Sequence, residues 1–312
     1  MGHSKKASEE VTYDVIIIGA GPAGMTAAVY AVRKGLQALV VAKEIGGQVM
    51  KSGEVENYLG FGSSTGYEVA AKFHEHIDQF ENLNHIDGVT VTAVEKKDDI
   101  FLVKTDHGIF SGRTVIIASG RSPRHLNVPG EREFTNKGIT YCDVCDGPLF
   151  KGKPVAVVGG GNSALEAALS LARLSSSVII LNLTGELTGD EILREKVNKA
   201  KNITVINNAK TTRINGNKLV TGLTYIDNDG KEQELSAEGI FIEIGYGPSV
   251  SFDTLTKKDS HNRIIITNEC ETSVPGIFAA GDVSSVRDNQ IIVAAGEGAK
   301  SALSAYYYLS KR

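Results

Sequence analysis

The 312-residue sequence holds only three cysteines, carries no excess of basic over acidic side chains and has no uninterrupted apolar run near the ~18 residues that cross a membrane. Each shortage excludes something. Without such a run no membrane partner is expected. A formal net charge of −4 argues against nucleic acid as a bulk electrostatic partner. Residues 1–10 are polar and charged and lack the apolar core of a secretory signal, so they read as a disordered tail. Few cysteines without such a signal fit a reducing, cytoplasmic setting, where a Cys-x-x-Cys pair is catalytic or metal-binding rather than structural. Glycine is in excess, with 34 residues, which suits a backbone that approaches ligands closely at several points.

One plan occurs twice. Asp14-Val15-Ile16-Ile17-Ile18 reads as a buried strand, Gly19 to Gly24 as a tight turn, the alanine-rich stretch to about Arg33 as a helix, and Ala38 to Val41 as a second strand. Pro154 to Val158, Gly159 to Ala164, Leu165 to Leu174 and Val178 to Leu181 repeat that order. Later in each half a β run ends in Gly-x-x-Pro, at Gly120 to Pro123 and at Gly245 to Pro248, with similar spacing from the glycine turns. Between them, apolar alternation predicts a small antiparallel sheet in each half: Val89 to Val94 with Ile100 to Lys104, and Val220 to Ile226 with Glu232 to Leu235. The tail regains strand character at Ile277 and then predicts a helix from about Ala294 to Leu309. The reading is α/β: two Rossmann-like dinucleotide-binding domains, the second inserted into the first. The first spans 11–121 and 247–312, the second 122–246.

The glycines at the first turn have separate tasks. Gly19 permits the turn, Gly21 lets backbone approach a pyrophosphate, and Gly24 lets the helix pack on the strand. The phosphates then meet the positive end of the helix, beside Pro22 and Ala23. Glu44 lies near where a ribose-binding carboxylate is expected, or is a solvated loop charge beyond the strand. At the second turn, Gly159, Gly161, Asn162 and Ser163 lead to Ala164 in place of a third glycine. The following strand ends in Asn182-Leu183-Thr184-Gly185-Glu186-Leu187-Thr188, with no arginine to neutralise a 2′-phosphate. Asn182 suits a ribose hydroxyl, which argues against NADPH and for NADH.

Tyr141-Cys142-Asp143-Val144-Cys145-Asp146-Gly147 pairs two cysteines at the spacing of a small disulfide ring. A zinc site needs two more ligands, and Cys270 comes without a partner motif, so no metal is assigned. Asp146 is a proton donor to a departing thiolate or a turn cap. Asp143 places a negative charge beside the thiols and opposes thiolate formation. Cys270, between Glu269 and Glu271, reads as structural.

Together these stretches resemble low-molecular-weight thioredoxin reductase, and the flavoprotein component of alkyl hydroperoxide reductase without its extra amino-terminal domain. Gly46-Gly47-Gln48, Val55 to Tyr58, Phe278 to Asp282, Gln290 and Gly296 to Gly298 extend the match over about residues 13 to 309. The resemblance implies FAD in the first domain, with Asp282 after Gly281 on the ribityl chain and Gly47, Gln48 and Asn57 against the flavin. Gln290 and Ile291 would approach its ring, and Gly120 would lie near by. It further implies a nicotinamide cofactor and the dithiol in the second domain. Cys145 would be nearer the flavin, Cys142 would attack the partner's disulfide, and Asp146 would be the acid. The implied partner is a thioredoxin-like or glutaredoxin-like protein, or a peroxiredoxin system, and the family is dimeric. The tyrosines 306–308 would cover an interface or the core. Two departures stand out. NADPH-using members carry His-Arg-Arg and a further Arg where Asn182, Leu183, Thr184 and Thr188 stand, while NADH-preferring hydroperoxide reductase flavoproteins have glutamate in place of Asn182. Some relatives take electrons from ferredoxin or another donor instead. Asp143 replaces the small or neutral residue usual there.

Overall fold

The computed structural model describes residues 11–312; the tail expected at 1–10 lies outside the described residues. The chain forms two compact units. One runs to Ser122 and resumes over Gly247–Arg312, and the other is the contiguous stretch Pro123–Tyr246.

The first unit is built on the strand Thr12–Ala20. Val15 to Ile18 are all buried, as expected of a parallel strand covered on both faces. Ala38–Ile45 pairs with it in parallel on one side and Gly108–Ile117 on the other. Leu83–Ile86 extends the sheet beyond 38–45, and Ile277–Ala279 lies parallel to the last residues of 108–117. The ladder between 12–20 and 38–45 slips between Ile18 and Ala20. Gly19 sits at that slip with φ of 110°, turning the chain into the helix Pro22–Arg33.

The second unit repeats the arrangement. Its five parallel strands run in the order Ile139–Thr140, Gly239–Ile242, Pro154–Val158, Ser177–Leu181 and Ile203–Ile206. Pro154–Val158 matches the strand before the first glycine turn, and Ser177–Leu181 matches Ala38–Ile45. The fifth strand is supplied differently: from the carboxyl-terminal part of the chain in the first unit, and from upstream of the glycine turn in the second. Both are α/β units with a parallel sheet, as the sequence indicates.

Three local expectations are corrected. The antiparallel strands of the first unit do not form a separate small sheet. Val91–Lys97 and Ile100–Thr105 join the main sheet, because the ten-residue strand Gly108–Ile117 pairs antiparallel with 100–105 early on and parallel with 277–279 later. In the second unit, Lys210–Gly216, Val220–Ile226 and Glu232–Ser236 do stand apart as a three-stranded sheet. The strand 38–45 runs past Val41, so Glu44 lies within it, exposed, rather than in a loop beyond it. The carboxyl-terminal helix begins at Ile291 and ends at Ser310, longer at its start than expected from its alanine run.

Helices 22–33 and 291–310 pack together on one face of the first sheet. Tyr306 and Tyr308 pack against that core and Tyr307 is exposed, so the tyrosine cluster is divided between packing and surface. A Cβ added at Gly298 would stand 2.1 Å from the carbonyl oxygen of Ala23. Gly298→Ala is therefore expected to force the helices apart and cost about 1–3 kcal/mol, read from the urea midpoint of unfolding.

Candidate active site

In the first unit the carboxyl ends of the central strands carry most of the residues singled out for FAD. Gly21 caps helix 22–33 through backbone alone, with Pro22 at its first position. The first-turn N–H groups of that helix have no intrahelical acceptor, which is the arrangement that receives a phosphate. A Cβ at Gly24 would fall 1.9 Å from Gly19 O, so helix and turn are in backbone contact as the motif requires. Gly46 and Gly47 both take positive φ, and a Cβ at Gly47 would lie 3.1 Å from Gly21 Cα, which puts this second turn against the first. Gln48 Nε2 donates to Arg121 O at 2.7 Å, just past Gly120. Asn57 Nδ2 donates to Gln290 Oε1 at 3.1 Å, although 233 positions separate them in sequence. Gln290 caps helix 291–310, and Ile291 packs half-buried on the Val49, Val55, Val69 and Ala70 cluster.

Gly281 and Asp282 follow strand 277–279. Burial raises the Asp282 carboxyl above the usual range, with Arg121 opposing. Glu297, for which the sequence indicated no role, reaches back from the carboxyl-terminal helix. Its Oε2 accepts from Gly281 N at 2.8 Å and from Ser284 Oγ at 3.3 Å, fixing the turn that carries Asp282. Gly47, Gln48, Asn57, Gly281, Asp282, Gln290 and Ile291 thus belong to one connected framework. Its glycine cradles and the half-buried carboxyl of Asp282 fit a flavin dinucleotide. Glu44 stands on the adjoining strand.

In the second unit Gly159 has φ of 146° and lies against the backbone of Glu243, where a Cβ would meet Glu243 O at 2.2 Å. Gly161 starts helix Asn162–Leu171, which contains Ser163 and Ala164. Asn162 Nδ2 donates to Asp190 Oδ2 at 3.0 Å, and its Oδ1 accepts from Asp190 N at 2.7 Å. Asn182 is 3% exposed, and its amide is used inside the loop. Nδ2 donates to Thr184 O and Asn207 Oδ1 at 2.9 and 2.8 Å, and Oδ1 accepts from Thr184 Oγ1 at 3.2 Å. These loop contacts engage the amide that the sequence reading offers to a ribose hydroxyl. Asn182 shapes the loop, and a Cβ at Gly160 would collide with it at 2.1 Å.

The two cysteines are joined as a disulfide, with Cα atoms 5.4 Å apart. A closed ring is the redox-active form of the two readings that the Cys-x-x-Cys spacing offers. Cys142 caps the one-turn helix Asp143–Asp146, and Cys145 N donates to Cys142 Sγ at 3.2 Å. Such a donor favours negative charge on sulfur once the bond opens. Cys145 is exposed and Cys142 half-buried, with Val144 and Leu149 standing 58% and 69% exposed near by. Thr140 Oγ1 donates to Asp146 Oδ2, which orients that carboxyl. Cys270 is fully buried with Sγ facing Glu297 O at 3.6 Å. Burial first, and then Glu297, push its thiol up to about 12. The acidic flanks in the sequence signal a disfavoured thiolate, but Glu297 outweighs Glu269 as the electrostatic cause.

Two further carboxylates lie outside the sequence motifs. Glu131 is 2% exposed at the start of the short helix Glu131–Phe134 and gathers Leu126 N, Asn127 N and the Tyr141 hydroxyl at 3.0, 2.6 and 2.8 Å. Glu243 follows strand 239–242, and the signal for it was a lone acid in the apolar run Phe241 to Ile244. Burial, and secondarily Asp143, raise its carboxyl to about 8. A carboxyl whose folded value is raised contributes stability that is complete below the unfolded value and is lost as pH rises through the folded one. Unfolding measurements from pH 6 to 9 should show this loss, on the order of 2 kcal/mol, and Glu243→Gln should flatten it.

Residues 13–298 match the family model for pyridine nucleotide-disulphide oxidoreductases. A Bacillus subtilis protein named NADH dehydrogenase is 40% identical over 99% of this chain, and a Staphylococcus aureus component of alkyl hydroperoxide reductase is 41% identical over 99%. The chain spans 62% of the length of each of these curated relatives. The crystal structure of Lactococcus lactis thioredoxin reductase in its FR conformation is similar with a TM-score of 0.82 and 35% identity, covering 96% of this chain and 100% of that one. The chain belongs to the pyridine nucleotide-disulphide oxidoreductase family, which implies a flavin and a pyridine nucleotide, and is of the thioredoxin reductase type.

Proposed function

We propose that this protein passes electrons from NADH through FAD to the Cys142–Cys145 disulfide and on to the disulfide of a thioredoxin-like protein. The observation that carries this reading is the closed disulfide on a one-turn helix, with an oriented carboxyl at Asp146 and exposed apolar side chains beside it. Bound FAD supplies the acceptor for the nicotinamide hydride and the two electrons that open the disulfide. Gly19, Gly21 to Gly24, Gly47, Gln48, Asn57, Gly120, Gly281, Asp282, Gln290 and Ile291 hold it, with Glu44 towards the adenosine ribose. Gly159, Gly161, Asn162, Ser163 and Ala164 hold the nicotinamide nucleotide.

In the open state, Cys142 as thiolate attacks one sulfur of the partner's disulfide. That bond breaks, its leaving sulfur takes a proton supplied by Asp146, and a mixed disulfide remains. Cys145 then attacks Cys142 Sγ, which closes the intramolecular bond again and releases the partner as a dithiol. The loop at 182–188 favours NADH: it has no arginine or lysine for a 2′-phosphate, and Glu186 adds a negative charge. The name of the Bacillus subtilis relative points the same way. Similarity to the alkyl hydroperoxide reductase component supports a second acceptor reading, in which the dithiol serves a peroxiredoxin system. We place the reaction in the cytoplasm and take the working form to be a homodimer. Among the described residues no helix is long and apolar enough to cross a membrane.

The test is anaerobic titration of the flavin-loaded protein with NADH and with NADPH, followed near 450 nm, and then turnover with thioredoxin and peroxiredoxin acceptors. Bleaching at lower NADH than NADPH concentration is expected. The reverse order overturns the donor choice. No bleaching with either moves the donor to ferredoxin or another non-nicotinamide source.

A further inference from the structure

We propose that His74, Asp78 and His85 form a binding site for a divalent transition-metal ion of the zinc class, in the first unit and separate from the redox residues. His74 and Asp78 are four apart on helix Gly66–Asp78, which puts both on one face, and His85 comes from the next strand, Leu83–Ile86. Asp78 Oδ1 lies 3.6 Å from His74 Nε2 and 3.3 Å from His85 Nε2, and one ligand atom from each of the three residues lies within 4.8 Å of the others. A tetrahedral zinc ion with ligands at ~2.0–2.1 Å spaces its donors by about 3.4 Å, close to the two histidine–aspartate separations.

The surroundings point to an ion rather than to an ordinary ion pair. His74 Nε2 is buried and has no hydrogen-bond partner among the described residues. Leaving a buried polar atom so costs about 1–3 kcal/mol, and coordination removes that cost. The imidazole rings meet edge to face, 5.8 Å between centroids, and each presents its Nε2 to the same oxygen of Asp78. Asp78 keeps 42% of its side chain exposed, which leaves a fourth position for water. Two neutral imidazoles and a carboxylate are the donor set of zinc and its neighbours rather than of magnesium or calcium. The sequence carries no spacing signal for this site, because His85 reaches the helix pair only through the fold.

The experiment uses the oxidised, flavin-loaded protein, whose closed disulfide keeps Cys142 and Cys145 from competing for the metal. Calorimetric titration with Zn2+ should show one ion per chain at micromolar affinity or tighter, and Co2+ should give the absorption of a four-coordinate ion. His74→Ala and His85→Ala should each weaken Zn2+ binding by at least about 100-fold, the upper end of what loss of an outer-shell partner costs. Zn2+ should raise the unfolding temperature of the parent but not of these variants or of Asp78→Asn. Each variant's unfolding without metal serves as the folding control. Absence of Zn2+ binding by the parent overturns the proposal, as does undiminished binding by the His74→Ala/His85→Ala double variant.

Discussion

Cys145→Ser is expected to lower turnover of the partner disulfide by at least about a thousandfold while leaving flavin reduction by the nicotinamide nearly unchanged. The two effects separate because the substitution removes one sulfur from the disulfide and nothing from the flavin framework of Gln48, Asn57 and Gln290. With no second thiol, the mixed disulfide formed by Cys142 has no intramolecular exit. It should accumulate and be visible by non-reducing electrophoresis as a covalent complex with the acceptor. Cys142→Ser should lose turnover equally without trapping the partner through position 142. Because Cys145 is the more exposed sulfur here, the trapping comparison decides which cysteine meets the partner. If Cys142→Ser traps the partner and Cys145→Ser does not, the two roles are exchanged.

Glu131→Ala should destabilise the second unit by about 3–5 kcal/mol, as breaking one side of a buried charged network does. The loss strands Leu126 N and Asn127 N and takes the carboxylate acceptor from the Tyr141 hydroxyl, which keeps only its contact with His125 Nδ1 at 2.9 Å and the Thr135 side chain. Burial alone would raise the Glu131 carboxyl, but the hydrogen bonds from Tyr141, Leu126 and Asn127 outweigh it and hold the carboxyl below its usual range. The sign is therefore opposite to that of Glu243. Glu131 contributes stability that is complete above the unfolded glutamate value and is lost as pH falls through the depressed folded one. Chemical denaturation of parent and variant between pH 3 and 7 should show the two curves converging towards the acid end. Constant separation across that range would mean that the carboxylate is not the source of the effect. Tyr141 immediately precedes Cys142, so the same variant is expected to loosen the approach to the disulfide.

Much of the architecture could be read from short-range signals. A fully apolar strand followed by glycines with fixed tasks is a local pattern, and Gly19, Gly24 and Gly159 occupy the strained or crowded positions such a pattern requires. What escaped was non-local. The strand 108–117 takes partners of opposite direction along its length, and no period in the sequence announces that. Asn182 was legible as a polar residue at a strand end, but its burial depends on Asn207, which only the fold brings near. Glu297 fixes the turn at Gly281 from helix 291–310, sixteen positions further along the chain, and Glu131 gathers donors on both sides of itself. Glu243 did leave a trace, as a charged residue in an apolar run.

The origin of the fifth parallel strand in each unit has a consequence for the nascent chain. The parallel strands of the second unit all lie between Ile139 and Ile242, so its parallel sheet is complete before synthesis reaches Ile277. The first unit begins earlier but must wait for Ile277–Ala279, and then for the helix that covers it. The unit begun first on the ribosome is thus finished last, and the dithiol-bearing unit can be structured before its elder neighbour closes.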